Sequence, residues 1–336
     1  MTDNKITLAY GSGGKLTHDL INNIFLKHFS NDVLLQGNDA AEFELPVGRI
    51  AFTTDSFVVS PIFFKGGDIG KLAVCGTVND LAASGAKPLY LSCGFILEEG
   101  LPIEELERIA ASMGETATKC GVKIVTGDTK VVQKGAADKI FINTAGIGII
   151  TEGIQISGSK AVPGDKVIIT GNIGEHGCSI LVEREKLNLV SKIESDCAPL
   201  NKVVEDVLEV TKEVHVLRDP TRGGLATTLN EIAAQSNVGI KLFEDKIPIS
   251  DEVRGICELL GLDPLYMANE GKMIIICPEI AVAAIMKALK SNQLSKNSAV
   301  IGEVFEAPAK RVMIKTVTGG SRIVDMLVGD QLPRIC

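Results

Sequence analysis

The sequence predicts an α+β protein built as two successive units, and three observations lead there. Strand-like runs rich in β-branched residues alternate with helix-like amphipathic runs along the whole chain. A chain of 336 residues, 45% of them hydrophobic, is longer than one core usually serves, since single cores seldom grow beyond ~250–300 residues. The stretch "EGIQISGSKAVPG", with its Pro-Gly turn, interrupts the alternation at about residues 152–162.

The elements follow in order. "YGSGGKLTHDL" reads as a glycine-rich loop leading into a helix through "LINNIFLKHF". "RIAFTTDSFVVSP" has strand composition and closes at Pro61, with Asp55 inside it. "GDIGKLAVCGTVNDLAASGAKP" is a helix with small residues on one face, stopped by Gly85 and Pro88. "LYLSCGFIL" is a strand, and "PIEELERIAASMGETATKCG" an amphipathic helix with Pro102 at its start and Gly121 after its end. "VKIVTGDTKVV" and "IFINTAGIGII" complete the first unit as strands.

The second unit opens with the strand "KVIIT" and helices near 176–186 and 200–213. "VHVLRDPTRGGLATTLNEIAAQS" reads as strand, loop and helix, "GIKLFEDKIPI" as a strand and "DEVRGICELLG" as a helix. "MIIIC", "AVAAIMKALK", "AVIGEVF" and "RVMIKTV" continue the alternation. The expected divisions are 1–40 for the glycine-rich loop and helix, 41–155 and 156–320 for the two domains, and 321–336 for a mobile tail.

Composition excludes some functions. The net charge is -8 with signs interspersed, aromatics are 4% and Trp is absent, so neither a nucleic-acid surface nor base stacking is expected. No apolar run reaches the ~18–20 residues of a membrane span, and no secretory pattern opens the chain. Cytoplasm is the expected compartment. Eight cysteines without a C-x-x-C pair read mostly as small buried hydrophobes, with Cys336 the exception at the last position.

The candidate chemistry is concentrated in a few stretches. "GSGGK" (Gly11, Ser12, Gly13, Gly14) departs from the P-loop pattern and is equally a flexible loop or a phosphate clamp. Asp55, Asp80 and Asp128 each suit a cap or turn when taken singly. Three together, with Lys130 beside Asp128, favour a metal–nucleotide site of hard oxygen ligands. Glycines 171, 174 and 177 permit backbone approach to an anion at a helix start. Arg218 and Arg222 around Asp219 suit phosphate binding or local ion pairs, and Glu270 in "ANEGK" a base or a cap. A lone His176 is more often structural. "LVGDQLPRIC", through Gly329 and Pro333, suits an arm that carries the Cys336 thiol into a site, against the plain alternative of an idle end residue.

Taken together, "GSGG", "TTDSFVV", "GTVNDLAASGAKP", "VTGDTKVV", "GDKVIITGNIGEHG", "DPTRGGLATTLNE" and "ANEGK" resemble the ATP-binding superfamily of aminoimidazole ribonucleotide synthetase and selenophosphate synthetase. The terminal "PRIC" is similar to the tail of its hydrogenase-maturing branch. The resemblance implies a two-domain PurM-like fold, with N-terminal sheets pairing across a homodimer, a C-terminal α/β sandwich and a tail that swings in and out. It also implies ATP and Mg2+. Asp55, Asp80 and Asp128 would hold metal and phosphates, with Gly11 to Gly14 closing over the nucleotide and Asp219 and Arg222 nearby. The implied reaction dehydrates a carbamoyl group on Cys336 to a thiocyanate, with Lys130 and Glu270 as charge stabiliser and base. The implied partners are the carbamoyltransferase HypF and the iron-carrying HypC–HypD complex. Two rival expectations are a sister purine ligase and a non-catalytic thiol carrier. Selenophosphate synthetase fits less well, because no Cys precedes Cys75.

Overall fold

The computed structural model describes residues 5–38, 40–184, 191–329 and 334–336. The N-terminal segment forms α1 (Lys15–Leu20), a π-helical turn (Ile21–Phe25) and α2 (Leu26–Phe29). A four-stranded sheet follows from β1 (Arg49–Phe57), β4 (Ala86–Glu98), β5 (Lys123–Val132) and β6 (Ile140–Ile150), with a small hairpin of β2 (Phe63–Phe64) and β3 (Gly67–Asp68). The strand order is β1-β6-β4-β5, with only β4 and β5 parallel.

Helices α3 (Ile69–Ala83) and α4 (Ile103–Cys120) cover one face of that sheet. The Asp68 carboxylate caps α3 by accepting from the Gly70 and Lys71 amides, satisfying two otherwise orphaned donors. Helix α3 is buried nearly all round, which is why its sequence lacks a polar face. Gly76 lets it approach β1, because a Cβ there would lie 2.8 Å from the Phe57 ring. Helix α4 ends on Gly121 in the left-handed conformation, as its sequence signals predict. The other face of the sheet is open: Ile50 is 54% exposed and Phe52 70%.

The C-terminal unit is a seven-stranded sheet in the order β13-β12-β9-β11-β7-β10-β8. These strands are β7 (Lys166–Ile169), β8 (Val216–Arg218), β9 (Gly239–Phe243), β10 (Ile274–Cys277), β11 (Ala299–Phe305), β12 (Arg311–Lys315) and β13 (Ser321–Ile323). Its helices are α5 (Glu175–Arg184), α6 (Asn201–Val210), α7 (Gly224–Ser236), α8 (Asp251–Leu260) and α9 (Glu279–Ser291). Strands β7 and β10 are buried on both faces. Ile169, Ile274 and Ile276 meet α7, while Ile168, Ile275 and Cys277 meet α6 and α9. That double burial explains their unbroken apolar runs.

One boundary differs from expectation. Residues 321–323 form β13, and the buried Val324 donates its amide to the Val312 carbonyl, so these residues extend the sheet and the tail begins after them. The two units share apolar contacts: Ile180, Cys197, Ala268 and Ile335 join the core under α3, and Asn79 on α3 bonds the Ala198 carbonyl and the Leu200 amide. Among the described residues no helix is long and apolar enough to cross a membrane.

Candidate active site between the two units

Burial alternates along β1, so Thr53, Asp55 and Phe57 turn toward α3 while Phe52, Thr54 and Ser56 face outward. Thr53 Oγ1 donates to Asp80 Oδ2 on α3 at 2.8 Å. Asp219, just after β8, comes from the other unit. A groove of about 480 Å³ runs here, lined by Phe52, Thr53, Asp80, Ser157, Arg218 and Asp219.

Burial raises the pKa of every carboxyl in this region, and neighbouring acids add to the rise at Asp80, Asp219 and Glu270. Burial, then the charges of Asp80 and Asp55, push Asp219 up to about 7. Burial raises Asp80 despite the Thr53 hydroxyl, and Asp55 adds to the rise. Asp55 is raised by burial, against the Ser56 amide and the more distant charge of Arg222. Glu270 is 3% exposed, and burial and the surrounding acids push it well above the usual carboxylate range.

The backbone around Glu270 is tightly held while its side chain is not. Asp196 accepts the Glu270 amide at 3.0 Å and the Gly271 amide at 3.3 Å, and its carboxylate pairs with Lys272 at 3.2 Å. A Cβ on Gly271 would stand 1.8 Å from the Asp196 carbonyl oxygen, which accounts for glycine in "NEGK". Asn269 donates to the Pro220 carbonyl at 2.8 Å and accepts the Gly174 amide at 2.7 Å, tying three loops together. Among the described residues, Glu270 Oε1 has no hydrogen-bond partner.

The remaining predicted residues form a second group on the opposite face of the N-terminal sheet. Asp128 lies in register with Gly94, Asn143 and Ser56 across the four strands, three strand spacings or roughly 14 Å from β1. Its carboxylate pairs with Lys130 Nζ at 2.7 Å, which holds it below its ordinary pKa. The glycine loop lies along the same strand, where a Cβ on Gly11 would come within 2.8 Å of the Val131 nitrogen. Gly13 has φ +80, and Thr17 Oγ1 closes the loop by accepting the Gly13 amide and donating to the Tyr10 carbonyl. One chain therefore groups Asp55, Asp80, Asp219 and Glu270, and separately Gly11, Ser12, Gly13, Gly14, Asp128 and Lys130. Among the described residues no group of three His, Cys, Asp or Glu side chains is arranged to hold a metal ion.

Residues 334–336 lie inward. The Val58 amide donates to the Cys336 carbonyl at 3.0 Å and the Ser60 amide to the Arg334 carbonyl at 3.3 Å, an antiparallel seat beyond the end of β1. Arg184 donates to the Arg334 carbonyl at 2.7 Å, and Arg334 donates to the Val58 carbonyl and pairs with Asp138 at 2.6 Å. Cys336 packs against the apolar cluster containing Cys197 and Ala268, the latter two residues from Glu270. The other seven cysteines are buried.

Sequence reasoning missed Asp196, Lys272, Asp138 and Arg184, which carry no local motif. It also read the glycines at 174 and 177 as room for an anion. They face Met267 and Ala268 at 3.0–3.1 Å, and the Gly174 amide is already bonded to Asn269, so close packing explains them.

The fold and this divided site define a class: the N-terminal domain of AIR synthase related proteins matches residues 37–150 and the C-terminal domain of the same family residues 162–315. Within that class, carbamoyl dehydratase HypE of Cupriavidus necator is 51% identical over 333 residues, covering 99% of this chain and 95% of the relative. A solved hydrogenase maturation protein HypE in complex with ATP superposes with TM-score 0.95 at 53% identity, over 98% of this chain and 99% of that one. A HypE–HypF complex matches with TM-score 0.81 at 48% identity, over 94% of this chain and 100% of that one. The chain belongs to the HypE family of carbamoyl dehydratases.

Proposed function

We infer that this protein is an ATP-dependent carbamoyl dehydratase of hydrogenase maturation, working on its own Cys336. The observation that carries the reading is the inward chain end: Cys336 packs against the same apolar cluster that Ala268, two residues before the buried Glu270, also joins. HypF is the partner that loads the carbamoyl group, in keeping with the HypE–HypF complex among the relatives.

The chemistry is R–S–C(=O)NH2 + ATP → R–S–C≡N + ADP + phosphate. The carbamoyl oxygen leaves with phosphate, and both amide protons are removed. An amide oxygen leaves poorly and a phosphate well, so we propose that the oxygen is phosphorylated first. Glu270 is the proposed base, because its backbone is clamped, its carboxylate is open and burial raises its proton affinity. Lys130 is the proposed cation that offsets developing negative charge.

Mg2+ fits the buried carboxylates at Asp55, Asp80 and Asp219, where Asp55 raises Asp80 and both raise Asp219, since a cation relieves that repulsion. When bound it would supply charge neutralisation at the phosphates. In our proposal Asp55 and Asp80 hold it together with Asp128, Gly11 to Gly14 close over the nucleotide, and Arg222 binds its phosphates.

We also propose a homodimer. Asp128 and Lys130 lie on the sheet face and edge opposite Asp55, and that face carries the exposed Ile50, Phe52 and Ile96. A two-fold copy packed there brings the β5 edge of one copy to the β1 edge of the other, joining the two groups. HypC–HypD as cyanide acceptor, a cytoplasmic setting and the divisions 1–40, 41–155 and 156–320 are part of the same proposal.

Replacing Asp128 by Ala separates this reading from a thiol carrier. The dehydratase variant should stall with carbamoyl on Cys336, whereas a carrier would still deliver its load.

A further inference from the structure

His176 is wholly buried and uses both ring nitrogens. Nδ1 lies 2.7 Å from Ser195 Oγ, and Nε2 lies 2.7 Å from the Ile335 carbonyl oxygen. That carbonyl only accepts, so Nε2 carries the proton. Ser195 Oγ accepts the Cys197 amide at 3.1 Å, leaving its own hydrogen for Nδ1. The chain of donors is thus fully directed: Cys197 amide, Ser195 hydroxyl, imidazole, tail carbonyl. Burial lowers the His176 pKa and keeps the ring neutral, as this arrangement requires.

The same short segment also holds the Glu270 loop. Asp196, between Ser195 and Cys197, accepts the Glu270 and Gly271 amides. Ser195 is itself fixed by donating its amide to the Lys65 carbonyl at 2.8 Å.

We propose that His176 is a positioning residue for the dehydration: through Ser195 it sets the depth of the tail, so that Cys336 is presented in register with the Glu270 loop held by the neighbouring Asp196. This rests on the dehydratase reading for its consequence, though not for the docking itself. A buried histidine kept only for core packing would need volume and no directed donor toward the tail. The His176–Ile335 bond spans 159 residues of sequence and ends one residue before the thiol.

The test uses the full chain, comparing wild type with His176→Phe, His176→Gln and Ser195→Ala. The first readout is the alkylation rate of Cys336 without nucleotide, followed on the tail peptide by mass spectrometry. His176→Phe keeps the volume and loses the donor, so alkylation should rise about tenfold, the range set by one buried hydrogen bond left unmade. His176→Gln keeps an N–H of similar reach and should return the rate to within about threefold of wild type. The second readout is single-turnover dehydration of the carbamoylated protein. His176→Phe should slow it by about tenfold or more while ATP affinity stays within about twofold.

Alkylation at the wild-type rate in His176→Phe overturns the proposal, as does a His176→Gln variant no better than Phe. If His176→Phe does not fold, Ser195→Ala removes only the hydroxyl, and an unchanged alkylation rate there overturns it equally. Failure of wild-type dehydration with the alkylation pattern intact would instead count against the dehydratase reading.

Discussion

Glu270 is anchored by its amide and left open at its carboxylate. The proposed base role and a stability consequence both rest on that burial. Its pKa is raised in the folded state, so the stability it contributes is present at pH below its unfolded value near 4.3 and is lost as pH rises through the folded pKa. Thermal unfolding in EDTA without nucleotide should therefore show Glu270→Gln gaining on wild type as pH rises above about 4.3, until the folded carboxyl has ionised. The same variant should lose dehydration by about a hundredfold or more while retaining ATP binding. Equal melting curves across the range would mean the carboxylate is solvated. Glu270, Asp55, Asp80 and Cys336 were visible in sequence because each sits in a distinctive short motif. Asp196 was not, and His176 stood out only as a lone histidine read as structural, since their contacts are with residues 74 and 159 positions away.

Among the elements, α3 matters most to the site. It carries Asp80 and Asn79, it rests on β1, and its close approach depends on Gly76. Adding a methyl at Gly76 must displace the buried Phe57 ring or the helix. Gly76→Ala should cost about 1–3 kcal/mol in urea unfolding, and should weaken ATP binding because Asp80 moves away from Asp55. A neutral result would show that the ring yields freely. The helices were legible where punctuation was strong, as at Pro102 and Gly121 around α4. Strand β13 was hidden because "SRI" is short and exposed at all three residues, with no alternation to read.

For the whole molecule, the proposed site draws its residues from two copies. Within a single chain Asp55 and Asp128 occupy opposite faces and edges of one sheet. Mixed dimers of Asp55→Ala and Asp128→Ala chains should therefore contain one intact site and one doubly altered site. Random re-pairing of two inactive variants should restore about a quarter of wild-type activity. No recovery, with exchange of subunits shown by mass, would place each site within one chain. Periodicity along the chain revealed the two units, whereas the separation of the acids depends on strand order, which no local pattern encodes.

The central claim is chemical and is tested most directly by the mass of the tail peptide. Protein carrying a carbamoyl group on Cys336 should lose one water from that peptide alone when Mg-ATP is added. A carbamoyl peptide unchanged in mass, in protein shown to have bound ATP, would contradict the dehydratase account.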